Sequence, residues 1–122
     1  MSYPPVFATA FASDAVKEIL GASPCRLYMF GMAPQTVAKP YAVWQVVGGS
    51  PENYLDRTPN TDRFTVQIDI YGVSANETRL SAAALRDAFE PHSYVTAWRG
   101  EDRDIETQLY RSSFDVSWFV KR

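Results

Sequence analysis

Phe64–Phe89 reads FTVQIDIYGVSANETRLSAAALRDAF, and the fold is decided here. In its first half Phe64, Val66, Ile68 and Ile70 alternate with Thr65, Gln67, Asp69 and Tyr71. A period of two puts the apolar set on one face of a strand and the polar set on the other. The pattern then changes. Ser74 followed three residues later by Glu77 is a capping box, in which each side chain satisfies a backbone N–H that the first helical turn leaves over. Leu80, Ala84, Leu85, Ala88 and Phe89 recur at helical spacing as one apolar stripe, with Arg79, Arg86 and Asp87 turned to water, and Pro91 stops the helix. A half-buried strand feeding an amphipathic helix predicts a sheet with a helical layer on its dry face.

Upstream, Tyr41–Val47 is β-branched and aromatic with Pro40 just before it, and predicts another strand. It runs into a polar stretch, Gly48 to Asn60, that contains Gly49, Pro51, Asn53 and Pro59 yet holds Tyr54 and Leu55 at its middle. Loops this long without their own secondary structure are commonly functional or disordered. An apolar pair inside a charged loop points to docking on a partner. Nearer the start, Pro4 and Pro5 open a helix carrying Val6, Phe7, Ala10 and Phe11 on helical spacing. Ser13 caps a further short turn with Val16, Ile19 and Leu20 on one side, closed by Gly21. Arg26–Phe30 reads as a short first strand and Gly31–Pro40 as a connector.

Downstream, Tyr94–Trp98 predicts a fourth strand, RGEDRDIETQ (99–108) a charged hairpin loop, and Leu109–Val120 a long fifth strand. In that last strand Tyr110, Phe114, Val116 and Trp118 share a face opposite Arg111, Ser113, Asp115 and Ser117. The expected architecture is α+β: a mainly antiparallel sheet of about five strands with two helices packed on one face. The order along the chain is helix, three strands, helix, two strands, within a single domain spanning 1–122.

Composition narrows the function. A net charge of −2 implies no broad electrostatic grip on nucleic acid or anionic membrane. The single cysteine, Cys25, excludes an internal disulfide and fits a reducing compartment. The start, MSYPPVFATAF, lacks a basic n-region and an adequate apolar run, so no secretory signal is expected, and no segment approaches the length that spans a bilayer. Aromatic residues make up 14% of the chain, and several fall outside core positions, as at interfaces.

Catalytic chemistry has little to build on. His92 is the only histidine and follows a helix-ending proline, where a backbone-satisfied turn residue is the simpler reading. Cys25 lies beside Pro24 with no base near it in sequence. Glu101, Asp102, Asp104 and Glu106 could attract a hard cation, but Arg99 and Arg103 are interleaved with them and compete for the same oxygens. Gly48-Gly49 is followed by Ser-Pro rather than by a helix, so it makes no phosphate cradle. Arg57, Arg63, Arg99, Arg103 and Arg111 could meet phosphates, yet acidic neighbours leave no positive footprint for a duplex. No enzyme, cofactor or metal is expected. Arginine and tyrosine among carboxylates suit specific, register-fixing contacts between proteins.

PPVF (4–7), DAV (14–16) with ILG (19–21), and GMAPQTVAKPYAVWQVVGGSPENYLDR (31–57) together resemble the tail completion, or tail terminator, proteins of long-tailed bacteriophages, the lambda-like group. DRFTVQIDIYG (62–72), LRDAFEPH (85–92) and LYRSSFDVSWFV (109–120) extend the similarity over nearly the whole chain. The resemblance implies a non-enzymatic virion protein, assembled in the bacterial host cytoplasm. It would form a ring of usually six copies on the head-proximal end of the tail tube. Such a ring stops tube growth and offers a head-joining surface, so the implied partners are further copies, the tail tube protein and a head-closure or neck protein. DNA would pass through without specific binding, and no membrane is involved. Glu52, Asn53, Tyr54, Leu55, Arg57, Arg99, Asp102 and Arg103 are the candidate subunit or tube interface, with Tyr54 and Leu55 as apolar anchors inside a polar rim. A neighbouring head-closure protein and a small nucleic-acid-binding domain are the alternatives.

Overall fold

The computed structural model describes residues 2–53 and 57–122. Its elements run α1 (Val6–Phe11), α2 (Asp14–Leu20), β1 (Leu27–Met29), β2 (Tyr41–Pro51), β3 (Thr61–Gly72), α3 (Ala75–Phe89), β4 (Tyr94–Arg103) and β5 (Tyr110–Lys121). The α+β architecture is the expected one, with five strands in a sheet of order β1-β2-β3-β5-β4. The opening helical stretch is two helices, not one. Ala12 ends the first, and the Ser13 Oγ accepts the Val16 N–H at 3.3 Å to start the second.

Three of the four strand pairings are antiparallel, whereas β1 pairs with β2 in parallel. The eleven-residue connector 30–40 allows this: a parallel neighbour needs a crossover rather than a tight hairpin. Strands β3 and β4, joined through α3, likewise run in one direction, with β5 inserted between them.

All three helices pack on one face. The alternation in β3 is realised as read: Phe64, Val66, Ile68 and Ile70 are buried against the helices. They join Phe114, Val116 and Trp118 of β5, Val6 and Ala10 of α1, Val16 and Leu20 of α2, and Leu85 and Phe89 of α3 in one apolar cluster. The capping box forms, with Ser74 Oγ accepting the Glu77 N–H at 3.1 Å, but the Glu77 carboxylate reaches past Ser74 to the Val73 N–H at 2.8 Å. The buried residues of α3 are Thr78, Ser81, Ala82, Ala84, Leu85 and Phe89. Leu80, expected inside, is 54% exposed. Small residues let α3 lie close to the sheet, and that choice of face turns Leu80 outward.

Two expected loops begin as strand. Gly48–Pro51 continue β2 opposite Thr65–Asp62, after a bulge between Val46 and Gly48 that absorbs one residue. A Cβ on Gly49 would run into the backbone carbonyl of Arg63, so the close strand approach there requires glycine. Arg99–Arg103 likewise continue β4 along Ser113–Tyr110 of β5, past two register shifts. As an edge strand, β4 needs no apolar alternation to pair, and charges along such an edge are common.

Candidate assembly interface

The two groups of candidate interface residues lie at opposite ends of the sheet. Thr61 pairs with Lys121 and Gly72 with Tyr110, so the β2–β3 connection leaves one end of β5 and the β4–β5 connection the other. The length of β5 separates them by about 36 Å at 3.3 Å per residue. Glu52 and Asn53 stand at the first end, with the Glu52 N–H donating to the Thr61 carbonyl at 2.9 Å, and Arg57 lies in the same connection. Tyr54 and Leu55 lie outside the described residues. Asp102 and Arg103 stand at the other end. Among the described candidates, Asp102 and Arg103 therefore lie at the opposite end of the sheet from Glu52 and Asn53 within one subunit.

Each end is braced. At the first, the terminal Arg122 grips Asp62 with two hydrogen bonds, at 3.1 and 2.9 Å, and donates to the Pro59 carbonyl at 3.0 Å. That hydrogen bond holds the Asp62 carboxyl below its ordinary value. Nothing in the linear sequence marks the final residue as a clamp for a hairpin sixty residues earlier. At the other end Asp104 Oδ1 accepts the Glu106 and Thr107 N–H groups at 2.8 and 3.3 Å, and Gln108 takes a positive φ of 61°. This Asx-type turn raises Ile105 to the tip, 86% exposed. Arg103 lies over the Tyr110 ring at 4.9 Å.

Between the ends, the sheet face turned away from the helices is a polar network. Asp115 on β5 accepts two hydrogen bonds from Arg99, at 2.9 and 2.7 Å. The Asp115 side chain is 4% exposed, although no helix covers this face. Arg111 sits 3.5 Å from Asp69 and 3.8 Å from Asp102, and Gln67 donates to both Asp69 oxygens at 3.1 Å. Arg99, read as a loop residue, is thus tied down on the sheet rather than presented at a hairpin tip. Arg111 Nε, Ser113 Oγ and Asp115 Oδ1 are buried with no protein partner, all on the same face of β5. The face keeps hydrogen-bonding capacity in reserve.

The acidic run around β4 is spent internally. Glu101 takes a two-pronged grip from Arg79 at 2.7 and 2.8 Å, which lowers its carboxyl pKa, and Asp104 is occupied by its turn. Among the described residues no three His, Cys, Asp or Glu side chains converge to hold a metal ion. Cys25 is buried, and desolvation pushes its thiol pKa up, against nucleophilic use. No described helix is long and apolar enough to cross a membrane.

What the geometry offers is surface: braced connections at two ends, a polar sheet face, and open edges at β1 and β4. That is equipment suited to a small assembly subunit. The family model for tail completion protein gp17 matches residues 4–121, and the chain belongs to this family of bacteriophage tail structural proteins, which is not an enzyme family. Among solved structures it is similar to a chain in the virion of a native gene transfer agent particle. The two are 14% identical with a TM-score of 0.73, over 96% of this chain and 92% of that one. No curated protein matches it.

Proposed function

We propose that this protein closes the head-proximal end of a phage tail tube as a ring of six copies, ending tube growth and presenting a surface for the head-closure protein. The observation that carries this reading, beside family membership, is the bipolar build of the subunit: one sheet with differently constructed connections at its two ends. A part that joins two unlike neighbours along one axis needs two unlike ends.

The β2–β3 connection carries Glu52, Asn53, Tyr54, Leu55 and Arg57 in sequence, and the β4–β5 end offers Asp102, Arg103 and the Ile105 tip. Tyr54 and Leu55 act as apolar anchors for the tube or a neighbouring subunit. Arg99 contributes by holding β4 in place. Modest net negative charge lets DNA pass through the ring without sticking. Assembly takes place in the host cytoplasm and the finished ring resides in the virion neck.

Electron microscopy of the purified protein, alone and mixed with tail tubes, tests the reading. Rings or capped tube ends are expected. A chain that stays solitary at every concentration and ignores tube ends overturns it. Tyr54→Ser with Leu55→Ser should leave a folded protein that no longer caps tubes, and normal capping by that double variant would remove the anchor role.

A further inference from the structure

Arg122 lies one residue past β5, and the register that pairs Lys121 with Thr61 puts it opposite Asn60. Its N–H donates to the Asn60 carbonyl at 2.8 Å, which carries the ladder into the β2–β3 connection. Residues two apart on a strand share a face, so the Arg122 side chain lies diagonally across from Asp62, the partner of Val120. There the guanidinium closes on both carboxylate oxygens, Nε on Oδ2 at 3.1 Å and Nη2 on Oδ1 at 2.9 Å. Nη1 turns the other way, to the Pro59 carbonyl at 3.0 Å. One residue thus bonds to Pro59, Asn60 and Asp62 together.

The two limbs of the connection depend on this grip unequally. The outgoing limb leaves β2 at Pro51, and the Glu52 N–H then donates to the Thr61 carbonyl at 2.9 Å. That acceptor belongs to the returning limb, so Glu52 is only as well placed as the limb that Arg122 holds. Pro59 adds stiffness, because its ring fixes φ. The opposite end of the sheet is built otherwise: its turn closes on itself, with Asp104 accepting the Glu106 and Thr107 N–H groups. Exposed ion pairs contribute little to global stability, and the Arg122 side chain is 43% exposed. What a two-pronged guanidinium–carboxylate contact fixes is geometry. A segment held in its docked form before it meets a partner loses less freedom on binding.

We infer that Arg122 is a positioning residue for assembly. Through Asp62 and Pro59 it presets the returning limb of the β2–β3 connection, and through Thr61 it places Glu52 on the outgoing limb. The inference rests on the docking role proposed above for this connection and names the residue that governs it. Lysine would keep the charge but not the planar fork, so the role belongs to arginine.

Amide exchange and tube capping by the full chain test it together. Arg122→Ala should speed exchange of the Glu52 N–H at least tenfold while leaving the amides of α3 unchanged. The concentration that caps half of the tail tubes in electron micrographs should rise at least tenfold. Arg122→Lys should fall between the parent and Arg122→Ala in both measurements. Adding Asp62→Asn to Arg122→Ala should make capping no worse, because the two side chains act as one unit; losses that add contradict the pair. Faster exchange with unchanged capping overturns the positioning role and leaves the ring reading intact. Unchanged exchange overturns it as well, since the connection is then not held by the fork. If Arg122→Ala loosens α3 too, Arg122→Lys decides by the same two measurements. A parent protein that forms no rings and caps no tubes removes the ring reading, and this role with it.

Discussion

Arg99 holds Asp115 with two hydrogen bonds to a single carboxylate oxygen, fastening an edge strand to the strand beside it across a register shift. The Asp115 side chain is buried and the Arg99 side chain 54% exposed, so the pair is one-sidedly solvated. Removing the arginine leaves the carboxylate in place without its donors. Arg99→Ala should lower stability by a small but measurable amount, because solvent can reach the arginine's site. Urea unfolding checks this, and adding Asp115→Asn should recover part of the loss. An Arg99→Ala variant as stable as the parent would show that the bond contributes nothing.

Acid should loosen both ends of the sheet. Hydrogen bonds from Arg79 and Arg122 hold Glu101 and Asp62 below their ordinary values of 4.5 and 3.8. A carboxyl whose pKa is depressed by folding contributes its stability above the ordinary value and loses it as pH falls through the folded one. The melting temperature should therefore decline below pH 4.5, and further below 3.8. Glu101→Gln and Asp62→Asn should each flatten that decline. Both carboxyls are solvent-accessible, so added salt should shrink the difference. A decline of the same size in the variants contradicts this.

Gly49 is where β2 approaches Arg63 and Phe64 closely enough that a Cβ meets backbone. Backbone cannot swing aside as a side-chain tip can. Gly49→Ala should destabilise by about 1–3 kcal/mol, whereas Gly48→Ala, with open space around it, should do far less. Chemical denaturation of the two variants side by side decides it.

On α3 the buried and exposed leucines separate packing from pattern. Leu85 is fully buried, and Leu85→Ala should cost about 2–5 kcal/mol. Leu80→Ser should change stability by no more than about 0.5 kcal/mol. A large loss at Leu80 would mean that the helix face has been assigned wrongly.

Much of the fold was legible. The period-two run from Phe64 to Tyr71, the Ser74–Glu77 box and the stop at Pro91 are local signals, and each appears where it was read. Strand lengths were underread at Gly48–Pro51 and Arg99–Arg103, because pairing with a long partner strand holds glycine, proline and charged residues in extended form against their own tendencies. The parallel pairing of β1 was hidden for a related reason: a connector's composition does not say whether it turns back or crosses over.

The candidate interface was less legible. Glu52 to Arg57 and Arg99 to Arg103 look alike in sequence, both polar and arginine-bearing, yet the structure puts Glu52 and Asn53 at one end of the sheet and Asp102 and Arg103 at the other. Arg99 is committed to Asp115, and Arg122, with no signal at all, braces the first connection. Met29 and Trp98 read as ordinary strand apolars until strand order puts both at sheet edges.

By itself the sequence determined where the main strands and helices lie, which face of β3 is dry, and the family to which the motifs belong, because those depend on neighbours a few residues apart. Tertiary structure alone decided strand order and register. These set residues far apart in the chain at one end, on one edge or along one rung, since pairing between distant segments depends on the packing of the whole sheet rather than on any local run of side chains.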